Sequence, residues 1–169
     1  MNDVDAYEIA ILIARVSFGL MMFAHGYNHF FRGGRIAGTG RWFESLGMKP
    51  GRVHAILASA TEVGAGLLFA VGLLTPFAAG AFVALMTVAI WTVHRKNGFF
   101  IVKEGWEYTF LIAVTSVLLA TLPSKYSLDH AFDLDDDLSG TFGFWLSLLL
   151  GLGASHLLLA VFYRPPKKA

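Results

Sequence analysis

The sequence predicts an all-α integral membrane bundle, and three observations carry that prediction. Of 169 residues, 56% are hydrophobic and the mean hydropathy is +0.60, more apolar surface than a soluble domain of this length could bury. The apolar residues fall in five runs long enough to cross a bilayer, which takes about 20 residues of helix. The basic residues between those runs collect on one side. The whole chain, 1–169, is expected to form a single membrane domain.

The five predicted spans are about 7–31, 53–74, 77–93, 106–122 and 142–162. MNDVDAYE, ahead of the first, is acidic and has neither a basic n-region nor a small-residue cleavage site, so the first segment is expected to be retained. Thr75-Pro76 alone separates the second and third spans, which implies a tight antiparallel hairpin. The short fourth span follows GFFIVKEGW, an interfacial turn. The fifth, containing SLLLGLGASHLLLAVF, is too apolar to leave in water.

Thirteen Lys and Arg are present; Arg15 lies within the first span, eleven fall on one side of the bundle, and Lys125 stands alone on the other. The positive-inside rule then places the N-terminus outside and the C-terminus in the cytoplasm. A net charge of +1 makes no case for nucleic acid, and the absence of cysteine excludes disulfides, thiolate metal sites and cysteine redox chemistry. Ala60-x-x-x-Gly64 and Gly151-x-x-x-Ser155 are spaced for close helix contact.

Ionisable residues inside a span need a partner or water. Arg15 lies about 12 Å into the first helix and Glu62 about 14 Å into its antiparallel neighbour from the other end. They are expected to form a buried ion pair, the alternatives being a snorkelling Arg15 and a neutral Glu62. His25 and His29 share a helix face near the opposite boundary, beside Asn28. His94 ends the third span there and Glu107 begins the fourth, so topology gathers His25, His29, His94 and Glu107 toward one leaflet with Glu62 beneath them. Two readings compete: interfacial residues within an aromatic belt, or a polar pocket whose strongest members are His25 and Glu62. No HExxH or comparable ligand motif is present, so no metal is assigned. A quinone head group, which needs a donor and an acceptor in an aromatic-lined slot, suits the set better. His156 stands alone in the fifth span and is expected to bond a neighbouring helix. DLDDDLSG, 133–140, lacks the glycine and glutamate of a calcium loop and reads as a solvated loop.

Several stretches together resemble the DoxX family of small bacterial membrane proteins: RVSFGLMMFAHG, ESLGMKPG, TEVGAGLLFAVGLLTP, EYTFLI and YSLD, in that order over residues 9–130. The resemblance implies a four-helix core to which 142–162 adds a fifth helix. It also implies an association with quinone-reducing or redox-stress complexes, and it marks Arg15, His25, Glu62, Glu107 and Asp129 as the characteristic polar positions. His29 stands where many relatives have lysine, and LPSKYSLD lacks the glycines usual before its motif.

The expected function is therefore a membrane subunit of the bacterial cytoplasmic membrane that provides an anchor or a quinone-adjacent polar site to an oxidoreductase partner. Glu62 and His25 are the candidates for proton exchange. No Rossmann glycines, phosphate loop or bis-histidine haem ladder is present, so electrons must come from a partner or a small molecule. Whether the chain is itself an enzyme stays open. The alternatives are a small-solute or lipid carrier, with the polar residues along a path, or a scaffold docking a partner on the basic stretch RGGRIAGTGRWFESLGMKPGR.

Overall fold

The structure, a computed structural model, describes residues 3–165; Lys167 and Lys168 of the basic set lie outside the described residues. Among the described residues eight α-helices follow one another: α1 (Asp3–Phe31), α2 (Arg35–Ser45), α3 (Gly51–Val71), α4 (Thr75–Ala89), α5 (Glu107–Thr121), α6 (Leu128–Ala131), α7 (Asp135–Leu138) and α8 (Gly140–Phe162). Helix α4 runs on through a π turn, Ile90–His94, and a 3-10 turn, Arg95–Asn97. The α1, α3, α4-plus-turns and α8 segments are each long and apolar enough to cross a membrane. Helix α5 has 15 residues, about 22 Å, and still traverses the bundle. Its start lies beside the end of α4, and the chain beyond it returns to α1, where Lys125 N donates to Glu8 Oε2 at 2.8 Å.

Helix α1 packs antiparallel on α3, and glycine sets their distance and register. A methyl added at Gly19 would lie 2.6 Å from the Gly66 carbonyl oxygen, and one at Gly26 2.6 Å from that of Ser59 and 2.8 Å from Glu62 Cβ. Such backbone approach is how membrane helices gain packing where no water drives them together. The Ala60-x-x-x-Gly64 pattern does not serve this contact: both residues are exposed, and a methyl at Gly64 would meet nothing within 4 Å. They lie on the lipid-facing flank of α3, because the tightest partner of α1 is the Ser59–Gly66–Ala70 face. Gly151 and Ser155 are buried, Gly151 against Val83 of α4.

The α3–α4 connection is Gly72–Leu74, with Thr75-Pro76 already opening α4, one residue set earlier than expected. Gly72 takes the left-handed conformation that closes a helix (φ 67°), and proline fits a first turn, which has no use for its missing N–H. Leu74 is also left-handed (φ 51°). The central layer is α4, flanked by α3, α5 and α8, and its Phe82 meets Phe69 of α3 with ring centroids 5.0 Å apart, neither ring exposed. At the basic side, Met48 pairs with Tyr163 and Arg164 N donates to the Gly47 carbonyl at 2.7 Å, so the end of α8 is tied to the chain entering α3.

Candidate functional site: a polar-ended cavity on the basic side

A cavity of about 540 Å³ lies within the bundle, lined by α1, α3, α4, α5 and α8 and lidded by Trp42 and Phe43 of α2. It receives His25, His29, Glu62 and His94 of the predicted set, together with Tyr108 and His54. Its volume is that of a small-molecule pocket, commonly about 300–1,000 Å³.

Two histidines are held in definite orientations by their partners, which assign the tautomers. The single Thr39 hydroxyl proton goes to the Arg35 carbonyl at 3.0 Å, so that oxygen offers His29 Nδ1, 3.3 Å away, only a lone pair. His29 therefore carries its hydrogen on Nδ1 and turns Nε2 toward Glu62 Oε2, 3.8 Å away. His94 repeats the arrangement. Its Nδ1 lies 2.7 Å from the Glu104 carbonyl, which can only accept, leaving Nε2 to accept from the Tyr108 hydroxyl at 3.4 Å. The π turn sets this up: the Thr92 hydroxyl takes the Val88 carbonyl at 2.8 Å, and the widened turn swings His94 toward Glu104 and Tyr108.

Glu62, like Arg15, His54, Ser59 and Ser124, keeps a buried side-chain atom without a partner, and it does so on the cavity wall. Its side chain is 12% exposed and its Oε2 has no hydrogen-bond partner. His54 is 4% exposed with Nε2 likewise unpartnered, its ring edge-on to Phe162 at 4.9 Å. Buried polar atoms are nearly always hydrogen-bonded, so two orphans on one cavity wall mark a place built for something else to bind. His25, one turn further along α1 toward the N-terminal side, lines the same cavity and is exposed.

Three expectations are corrected. Arg15 does not pair with Glu62. Its guanidinium donates to the Tyr126 carbonyl, lies against Gly72 and faces Asp129 and Glu8. The α1–α3 register is the reason: Glu62 sits opposite Gly26, some eleven residues along α1 from Arg15, about 16 Å. Counting depth from the apolar ends failed because α1 begins at Asp3 and is longer than its neighbour. Glu107 does not join the cavity; its Oε2 turns back to accept from Ile101 N at 2.9 Å and closes the 98–107 turn. His156 bonds its own helix, at the Leu152 carbonyl (2.7 Å), and not a neighbour.

Asp129 is 4% exposed and fully engaged: it accepts from Leu74 N (2.6 Å), Thr75 N (2.9 Å) and Thr75 Oγ1 (2.6 Å). It thereby caps α4 and holds the strained Leu74 turn. DLDDDLSG contributes α7, with Asp135 2.7 Å from His130 Nδ1.

His54 was missing from the sequence reading because it falls at the edge of its apolar segment. The signal was present: His54, Ala58 and Thr61–Glu62 recur at helical spacing, a polar-and-small stripe on one face of α3. Among the described residues no three His, Asp or Glu side chains gather as a metal would need.

The family model described as DoxX matches residues 10–95, which run from within α1 through α4 and its π turn. A Bacillus subtilis (strain 168) protein named "Putative oxidoreductase CatD" is 31% identical over 121 residues, covering 72% of this chain and 84% of the relative. No solved structure matches. With more than half of its length matched, and the glycine-packed α1–α3 pair at the centre of the match, the chain belongs to the DoxX family.

Proposed function

We propose that the protein is a multi-pass subunit of the bacterial cytoplasmic membrane, N-terminus outside, whose basic-side cavity holds the head group of a lipid-soluble quinone on behalf of an oxidoreductase partner. The observation that carries this reading is the orphaned Glu62 carboxyl facing His29 on the wall of the cavity that also holds Tyr108 and His54. A quinone ring offers carbonyl oxygens when oxidised and hydroxyls when reduced, so its site needs both donors and acceptors in an apolar surround. The residues fit. Tyr108 donates its hydroxyl hydrogen to His94 and keeps oxygen lone pairs for the cavity, while His29 Nε2 and Glu62 Oε2, 3.8 Å apart and not bonded to each other, each offer a proton-exchanging group to a bound ring. His54 Nε2 adds a third polar point, and Trp42 and Phe43 roof the space. Quinone reduction takes up protons at the ring oxygens, and these residues would bind, orient and supply them. The redox association draws support from the name of the Bacillus relative and from family membership. The orientation rests on the basic residues at the α1–α3, α4–α5 and α8 ends.

The test is gentle extraction with native lipid followed by mass spectrometry for quinones, with Glu62→Leu and His29→Leu prepared in parallel. Stoichiometric quinone in the wild type, lost from both folded variants, is expected. Wild-type protein free of quinone would sink the proposal.

A further inference from the structure

The cavity is polar at one end only. From its basic end it continues along α4 beside Val88, Ala84, Ala81 and Phe77, a stripe at helical spacing that covers about 16 Å of the bundle's depth. Helix α4 is the central helix, yet Ala81, Ala84 and Val88 are incompletely buried. The reason is a gap: α3 packs on α1, α2 and α4, and α8 on α4 and α5, while the facing walls of α3 and α8 carry small residues, Ala58 and Ala154. Leu57, Phe77 and Leu150 line this stretch and are 49%, 43% and 42% exposed, so it opens sideways on the lipid-facing flank. At the basic end the gap is shut by the Met48–Tyr163 pairing and the His54–Phe162 contact.

We propose that this slot between α3 and α8 receives the long hydrocarbon tail of the molecule whose head sits at His29 and Glu62, and that the molecule reaches the site sideways from the bilayer. The inference rests on the head-group reading above and extends it: the ligand is an amphiphile with one slender tail, and α8 forms one wall of its channel. The closed basic end forces the polar head to arrive last and to stop at the orphaned Glu62 and His54. A slot lined by alanine on a helix enclosed by three others is space that larger side chains would otherwise fill.

The test uses the full chain in nanodiscs of synthetic lipid and two probes, a methylnaphthoquinone without a tail and the same ring bearing a four-isoprene tail. Quenching of Trp42 reports binding, with Trp42→Phe as background. Ala84→Phe, which fills the slot midway, is expected to weaken the tailed probe at least about tenfold and to leave the tail-less one within about twofold. Equal loss of both probes, or loss of neither, overturns the slot while leaving the head-group site intact. If wild-type protein binds neither ring, the head-group reading fails, and the slot is judged by native mass spectrometry. A co-purified phospholipid lost from Ala84→Phe would uphold it, and none, or one retained equally, would overturn it. Should Ala84→Phe not fold, judged by monodispersity and melting, Ala154→Leu on the opposite wall takes its place.

Discussion

Each side of the bundle holds a cluster of ionisable residues inside apolar helices, and the two clusters are finished differently. On the N-terminal side, Asp129 has three hydrogen bonds and Arg15 reaches a backbone carbonyl; Arg15 Nε and Ser124 Oγ are left without partners, but the void among them is only about 20 Å³. On the basic side, Glu62 and His54 keep buried atoms without partners beside a cavity of about 540 Å³. Both clusters keep some unused hydrogen-bonding capacity, but the first is closely packed around its bonds while the second has room beside it, and that room, not the presence of charge, distinguishes a binding site from a brace.

The comparison breaks most sharply at Asp129. Asp129→Ala leaves the Leu74 and Thr75 donors unpaired and is expected to cost about 4 kcal/mol, at about 1–3 kcal/mol for each buried donor stranded. Thermal unfolding in nanodiscs would show it, and an unchanged midpoint would contradict the bracing role. Gly26→Leu, at the α1–α3 contact, should cost about 3 kcal/mol through overpacking, whereas Gly64→Leu, facing open space, should stay within about 0.5 kcal/mol. Comparable losses at the two glycines would mean that the helix pair is packed through the wrong face. Arg15→Leu should cost about 2 kcal/mol, and exchanging Arg15 with Glu62 should rescue nothing, since they do not meet; restored stability in the double variant would refute the register. Smallest of all in stability, Glu62→Gln should shift unfolding by less than about 1 kcal/mol, because no partner is lost, while quinone retention falls. Destabilisation as large as that of Asp129→Ala would make Glu62 a brace as well.

Much of the fold was legible because hydrophobic length and charge asymmetry act locally: each apolar run must be a helix in lipid, whatever surrounds it. The α3–α4 hairpin and the short α5 followed from that. The site was legible only in part. His25, His29 and His94 could be assigned to one end by counting residues, and Glu62 nearby. Glu107 could not be excluded that way, because its side chain is claimed by Ile101 N in a turn with no periodicity to read. His54 was hidden at a segment boundary, and Ala60-x-x-x-Gly64 had the right spacing on the wrong face.

The sequence by itself determined that this chain is a helical membrane bundle, how its segments alternate across it, and which polar residues must be accommodated in apolar surroundings. Tertiary structure decided who meets whom. Whether Arg15 faces Glu62 or Tyr126 depends on the register of α1 against α3, set by glycines that let backbones touch. Whether Ala84 is buried or lines a slot depends on α3 and α8 packing on α4 without closing on each other. Helix formation is decided by a residue's neighbours in the chain, but partner choice and empty space are properties of how whole helices are placed.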